Sequence, residues 1–276
     1  MEALANPSWQ IVVLVIATLA LVRLTVGRLK APAAKRIGEV AESLAIAIFL
    51  VFVIIRPTVV QAYYIPSGSM RPTLLESDRI LVNKLIYRFR EPRRGDVVVF
   101  QSPPAAKKDE KDFVKRVVGV PGDEIRVKPG YVMIGQEQYH HPELRAMLMR
   151  YSTGTNILDM HVKLTAEGAF VDGEKMTQRQ IAAAAGQPEA RVVVHPGVVL
   201  RNGKPLNESY VSEDPDRPYP VDTDDAFRVR KGFLFVMGDN RNESSDSRVW
   251  GLLDRQRMRG KAMFIFWPPN RVRWLK

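Results

Sequence analysis

The sequence predicts a mainly β protein: two N-terminal transmembrane helices, then an antiparallel β domain into which a smaller β-rich domain is inserted. Three observations predict it. Two apolar runs stand within the first 63 residues, with a basic loop between them. From residue 64 onward, short Val- and Phe-rich segments are punctuated by Pro and Gly, as strands and tight turns are. The motif blocks at 115–123 and 238–251 are held apart by the stretch 124–230, which reads as a smaller β-rich unit.

Residues 11–22 are apolar apart from Thr18. With Trp9 before them and residues 24–26 beyond Arg23, they approach the roughly 20 residues that a span needs. The ten residues ahead of this run contain no Lys or Arg, which argues against a cleaved signal peptide with its basic n-region. Residues 44–55 are uninterrupted, and residues 40–43 and 57–63 lengthen them, with Arg56 near one end where its charge can snorkel. As a buried core helix, residues 48–55 would need apolar neighbours on every side. The loop between the runs holds Arg28, Lys30, Lys35 and Arg36, so the positive-inside rule places it in the cytoplasm. The segments expected are a first span in 1–27, a cytoplasmic loop at 28–39 and a second span in 40–63. Everything beyond lies outside the inner (cytoplasmic) membrane of a multi-pass protein.

Strands are expected at 79–85, 96–101 and 113–120, and again at 232–237 and 263–267. Residues 198–206 predict a hairpin whose Asn202-Gly203 makes a type I′ turn, with Pro205 on an edge. Residues 172–185 are the main helical candidate. Residues 103–111 read as a polar, charged loop.

The net charge of +11 suits an anionic membrane surface or nucleic acid. No basic tract is interleaved with aromatics, so the lipid bilayer is the expected partner and nucleic acid is not. There is no cysteine, which excludes disulfides, a thiol nucleophile and cysteine metal sites. His140 and His141 adjoin, with His161 and His195 elsewhere; adjacent histidines on a strand face opposite ways, and no carboxylate cluster accompanies them in sequence. No metal and no cofactor are expected.

The chemistry is concentrated in three blocks. Ser69 lies in Ile65-Pro-Ser-Gly-Ser-Met-Arg-Pro-Thr-Leu74, directly after the second apolar run. Lys115 opens Lys115-Arg-Val-Val-Gly-Val-Pro-Gly-Asp123, and the third block runs from Gly238 to Gly251. A hydroxyl nucleophile at a membrane surface, with a lysine and no nearby histidine, points to serine–lysine peptide hydrolysis. A free lysine, with a pKa of about 10.4, is charged at neutral pH. Burial disfavours the ammonium form, and Phe113, Val114, Val117 and Val118 supply apolar neighbours. Strand alternation puts Arg116 on the opposite, exposed face. Gly238 to Arg241 read as a plain turn.

These blocks, with Arg94-Gly-Asp-Val-Val-Val-Phe100 between the first two, resemble the bacterial type I signal peptidases in order and in detail. The resemblance covers residues 42–123 and 230–276 and is poor between about 139 and 194. It implies a signal peptidase/LexA-like fold with a catalytic β domain at 64–123 and 231–276. The implied enzyme is a membrane-bound serine endopeptidase that removes signal peptides from exported preproteins after an A-x-A-like site. Ser69 is then the nucleophile and Lys115 the general base. Ser67 gives the oxyanion a hydroxyl donor beside the Ser69 N–H. Ser244 helps to orient the lysine, and Asp246 and Arg248 brace the site, sharing a face if they lie on a strand. Tyr63, Ile65, Leu74 and Val114 line the substrate pocket. The rivals are a membrane-anchored binding module of the same fold without peptidase activity and a self-cleaving serine–lysine protein.

Overall fold

The computed structural model describes residues 9–26, 28, 31–55, 58–106, 112–152, 160–220 and 226–275. Lys30, Arg56 and residues 107–111 of the expected charged loop lie outside the described residues. Two helices, α1 (Trp9–Val26) and α2 (Pro32–Phe49), come first. The strands follow as β1 (Val60–Tyr64), β2 (Arg79–Asn83), β3 (Val97–Gln101), β4 (Asp112–Gly119), β5 (Glu124–Lys128) and β6 (Tyr131–Ile134). Next are β7 (Glu137–His140), β8 (Val162–Thr165), β9 (Gly168–Val171), β10 (Glu174–Lys175), β11 (Val192–His195) and β12 (Val198–Arg201). The last are β13 (Lys204–Pro205), β14 (Phe227–Arg228), β15 (Phe233–Met237), β16 (Leu253–Asp254), β17 (Met258–Trp267) and β18 (Arg273–Trp274). Two further helices, α3 (His141–Leu148) and α4 (Gln178–Ala184), stand between strands. The chain divides into two compact units.

The first unit comprises Met1–Tyr64, Arg79–Glu91 and Gly260–Trp274. Pro32 starts α2, where its missing N–H costs no helical bond. Gly38 lets the two helices approach: a Cβ there would lie 3.1 Å from Arg23 Nη1. One turn on, Arg23 Nε donates to Glu42 at 2.9 Å. Both helices have 18 residues, and beyond Phe49 the chain continues as a π-helix, Leu50–Ile55. Among the described residues no helix is long and apolar enough to cross a membrane. For α2 the reason is local: Lys35, Arg36, Glu39 and Glu42 occupy its first three turns, and the apolar run begins only after them. Strands β1, β2, β17 and β18 pair antiparallel in that order, placing Tyr63 opposite Ile80 and Phe264 opposite Trp274. Ile80, Val82, Ala262 and Ile265 are buried there.

The second unit comprises Ile65–Asp78, Pro92–Arg259 and the last two residues. Its centre is the antiparallel set β3, β4, β15, β16. Val97 to Phe100 are all buried, and so is every residue of β4 from Lys115 to Gly119, so these strands are covered on both faces. Strands β13, β12, β5 and β14 form a second sheet, β11, β6 and β7 a third, and β10, β9 and β8 a fourth. Val132, Ile134, Leu144, Leu148, Val162 and Ile181 belong to a core gathered from the third and fourth sheets and the two helices.

The hairpin at 198–206 is as expected: Asn202 and Gly203 have φ of 53° and 75°, and Pro205 lies on the edge strand β13. The expected helix at 172–185 shortens to α4. Asp172 and Gly173, at φ 49° and 89°, instead turn the chain from β9 into β10. Helix α4 starts where Thr177 Oγ1 accepts from the Gln180 N–H and Gln180 Oε1 accepts from the Thr177 N–H, a capping box. The open edge of β8 is closed by two carboxylates: the Val162 N–H donates to Glu213 Oε1 at 2.9 Å and the Leu164 N–H to Asp214 Oδ1 at 2.7 Å.

Candidate active site

Ser69 sits in a single 3₁₀ turn, Gly68–Met70, that follows the extended Ser67. Gly68 leaves room for the Arg71–Glu76 pair: a Cβ would lie 2.9 Å from both Arg71 Nε and Glu76 Oε1 and would push these side-chain ends aside. The turn is held from the third block, where the Asn240 N–H donates to Ser69 O at 3.2 Å and Asn240 Nδ2 to Gly68 O at 3.2 Å. Gly238 comes against the same backbone, since a Cβ on it would stand 2.4 Å from Ser69 O and 2.3 Å from Ser244 Oγ.

Lys115 reaches this turn from β4. Its Nζ lies 2.8 Å from Ser69 Oγ and 3.0 Å from Val114 O. The lysine is 4% exposed, and its Nζ stands 5.3 Å from the centre of the Phe113 ring. Ser67, Ser69, Phe113 and Lys115 line one cavity of about 130 Å³. The Ser67 side chain makes no capping bond with the turn.

Of the expected pocket residues, Val114 does not line this cavity. Phe113 and Lys115 share one face of β4, and alternation turns the Val114 side chain to the other. Ile65 and Leu74, at 3% and 0% exposure, are packed away from it. Tyr63 is half-buried on β1, in the first unit. Ser244 Oγ is buried and has no hydrogen-bond partner, so the structure does not join it to Lys115. Asp246 and Arg248 form an ion pair at 2.8 Å, but on a helical turn, Ser247–Trp250, rather than a strand. Asp246 caps that turn and accepts from the Arg248 N–H and the Gly238 N–H, and Arg248 Nη2 donates to Arg241 O. Burial by itself would raise the Asp246 carboxyl, but the Arg248 charge and these donors hold it below the usual carboxylate range.

Arg116 overturns the expected exposed position. It is 3% exposed and grips Asp239 at two points, Nε to Oδ1 at 2.8 Å and Nη2 to Oδ2 at 2.7 Å. Its Nη1 donates to Gly95 O at 2.9 Å, and its guanidinium lies 4.0 Å from the centre of the Tyr210 ring. Thr73 Oγ1 donates to Asp239 Oδ2. Gly238 to Arg241 are therefore more than a plain turn: Asp239, Asn240 and Arg241 are each at most 1% exposed, and Arg241 pairs with Glu208. The signal was available, because an arginine among valines in a strand buried on both faces requires a carboxylate.

The histidines also depart from expectation. His141 is fully buried at the start of α3, not on a strand, with Nε2 3.0 Å from Asp214 Oδ1. His161 Nδ1 lies 3.2 Å from Glu213 Oε1. A carboxylate pair does accompany them, brought in from 50 or more residues away. Among the described residues no group of three or more His, Asp and Glu could hold a metal ion.

The arrangement places a hydroxyl and a buried amine in contact beside free space, the elements of acyl transfer without a metal ligand set. The family model "Signal peptidase, peptidase S26" matches residues 37–178 and 175–267 of the chain. The signal peptidase I of Aquifex aeolicus is 34% identical over 230 residues, covering 80% of each chain. A probable signal peptidase I-2 of Synechocystis is 31% identical over 237 residues, covering 85% of this chain and 75% of the relative.

Proposed function

Because the chain belongs to the signal peptidase family, peptidase S26, and is a signal peptidase I, a serine endopeptidase, we propose that Ser69 is its nucleophile and Lys115 its general base. The observation that carries this assignment is the 2.8 Å contact between Lys115 Nζ and Ser69 Oγ. Burial strips water from Nζ, and desolvation disfavours the charged form of an amine. With the amine neutral, the same contact lets the hydroxyl donate. Ser69 Oγ attacks the scissile carbonyl carbon and Lys115 takes its proton. The Ser69 N–H and the Ser67 hydroxyl donate to the oxyanion. As the C–N bond breaks, Lys115 returns the proton to the leaving amine. It then takes a proton from the water that attacks the acyl-enzyme ester and returns it to Ser69 Oγ as the ester C–O bond breaks, which restores the neutral amine and the free hydroxyl.

Asn240 and Gly238 position the Ser69 turn, and the Asp246–Arg248 pair fixes the loop that bears Ser244. The substrates are exported preproteins cut after an A-x-A-like site. The helical hairpin seats the enzyme in the inner membrane with the catalytic unit outside. Its support is an apolar surface in which Leu14, Leu24 and Val40 are each more than 60% exposed, together with the basic residues between the runs. An inserted domain at 124–230 is supported by strands β5 to β14, which pair only among themselves.

Purified protein incubated with a preprotein bearing an A-x-A site is expected to cut after it, and the Ser69→Ala variant is expected not to. An intact preprotein after prolonged incubation with the unaltered enzyme would overturn the reading. In intact cells, Glu189→Cys is expected to label with an impermeant thiol reagent and Ala33→Cys not to; the reverse pattern would invert the orientation.

A further inference from the structure

The cavity that holds Ser69 and Lys115 carries a charge for which the proposed mechanism has no use. Besides Lys115, its ionisable lining residues are Arg71, Glu76 and Glu243. Arg71 and Glu76 neutralise one another in a two-point pair, at 2.8 and 2.6 Å. Glu243 is exposed; its charge helps to raise the pKa of His161, whose own hydrogen bond goes to Glu213. Its carboxylate accepts from Asn240 Nδ2 at 2.9 Å. That same amide donates to Gly68 O, so Glu243 stands one side chain away from the turn that carries Ser69.

We infer that Glu243 is a specificity-determining residue that favours preproteins with Lys or Arg at the x position of the A-x-A site or within three residues after the cut. The inference rests on the signal peptidase reading: with Lys115 neutral as the base, Glu243 is the surplus charge of the cavity. A substrate cation beside it is attracted and a substrate carboxylate repelled, and such complementarity discriminates between partners. The effect is recognisable because the chain as a whole is +11. Its long-range field favours acidic substrates, so a preference for a cation near the cut must be local.

The test uses peptides with one A-x-A site, differing only in Lys or Glu at the x position or at one of the three positions after the cut. At one or more positions the unaltered enzyme is expected to favour Lys in kcat/KM by about two- to fivefold, the range of an exposed ion pair. Glu243→Gln is expected to bring that ratio towards one, and Glu243→Lys to invert it. A Lys-to-Glu ratio that is the same in the unaltered enzyme and in Glu243→Lys at all four positions would overturn the inference. Failure of the unaltered enzyme to cut any peptide would count against the peptidase reading instead. In that event, binding of the same peptides to Ser69→Ala, with and without Glu243→Lys, decides by fluorescence anisotropy: a moved affinity ratio supports the inference and an unmoved one overturns it.

Discussion

Arg116 and Asp239 meet in a two-point ion pair with 3% and 0% of their side chains exposed. It joins the strand of Lys115 to the loop before Ser244, and the Thr73 hydroxyl on Asp239 adds the segment that bears Ser69. Three stretches remote in sequence thus converge on one pair of charges. Removing either partner strands the other charge in the interior, a loss of about 3–5 kcal/mol. Asp239→Ala and Arg116→Ala are each expected to lose about that much in urea unfolding. The double variant Arg116→Met/Asp239→Leu is expected to lose less than either.

Ser69→Ala and Lys115→Ala are each expected to abolish preprotein cleavage while keeping the circular dichroism and melting temperature of a folded protein. Lys115→Arg is expected to be inactive too, because a guanidinium does not give up its proton in this range. Appreciable turnover by Lys115→Ala would dismiss the lysine as base.

In the proposed mechanism, Ser67→Ala removes a donor to charge that develops only in the transition state. Loss of one such donor lowers kcat by about 10²- to 10³-fold, with little change in KM where KM reports binding. Ser67→Thr is expected to retain part of the rate. An unchanged kcat in Ser67→Ala would make Ser67 a turn residue only.

Gly238→Ala tests the close approach of the third block to the Ser69 turn. The added methyl would need the space of Ser69 O and Ser244 Oγ. The backbone must shift, at about 1–3 kcal/mol for overpacking, and the shift moves the nucleophile. Both the melting temperature and kcat are expected to fall. A variant with native kcat would show that the turn tolerates displacement.

His141 gives the second unit a pH-dependent stability. Burial opposes its charged form, but the hydrogen bond to Asp214 and the nearby Asp214, Asp216 and Glu213 charges outweigh burial and raise its pKa above the ordinary value. The folded state therefore holds the proton more tightly than the unfolded chain. The stabilisation is complete below about pH 6.5, the unfolded value, and is lost as pH rises through the higher folded value. The decline in melting temperature with rising pH is expected to be shallower in His141→Gln; identical slopes would refute the contribution.

The pair Ser69 and Lys115, in contact in the structure, was legible because each member sits in a contiguous block whose residues also build its local geometry, such as Gly68 beside Ser69. The 198–206 hairpin was legible for the same reason: Asn202-Gly203 carries its own positive φ. Arg116 was misread because alternation assumes one solvated face, whereas β4 is covered on both. His141 was misread because its carboxylate comes from residue 214, and no local pattern encodes that approach. The helix at 172–185 was drawn too long because alanine content marks where a helix continues, not where Thr177 caps it.

The carboxylates of Glu213 and Asp214 on the rim of β8 have a consequence for an enzyme that handles unfolded chains. An exposed strand edge is a template for any extended polypeptide, and secretory precursors arrive in that form. With two of its N–H groups already answered from within the molecule, β8 offers a passing chain fewer unsatisfied donors. Pairing of an extended chain with this edge is thereby disfavoured.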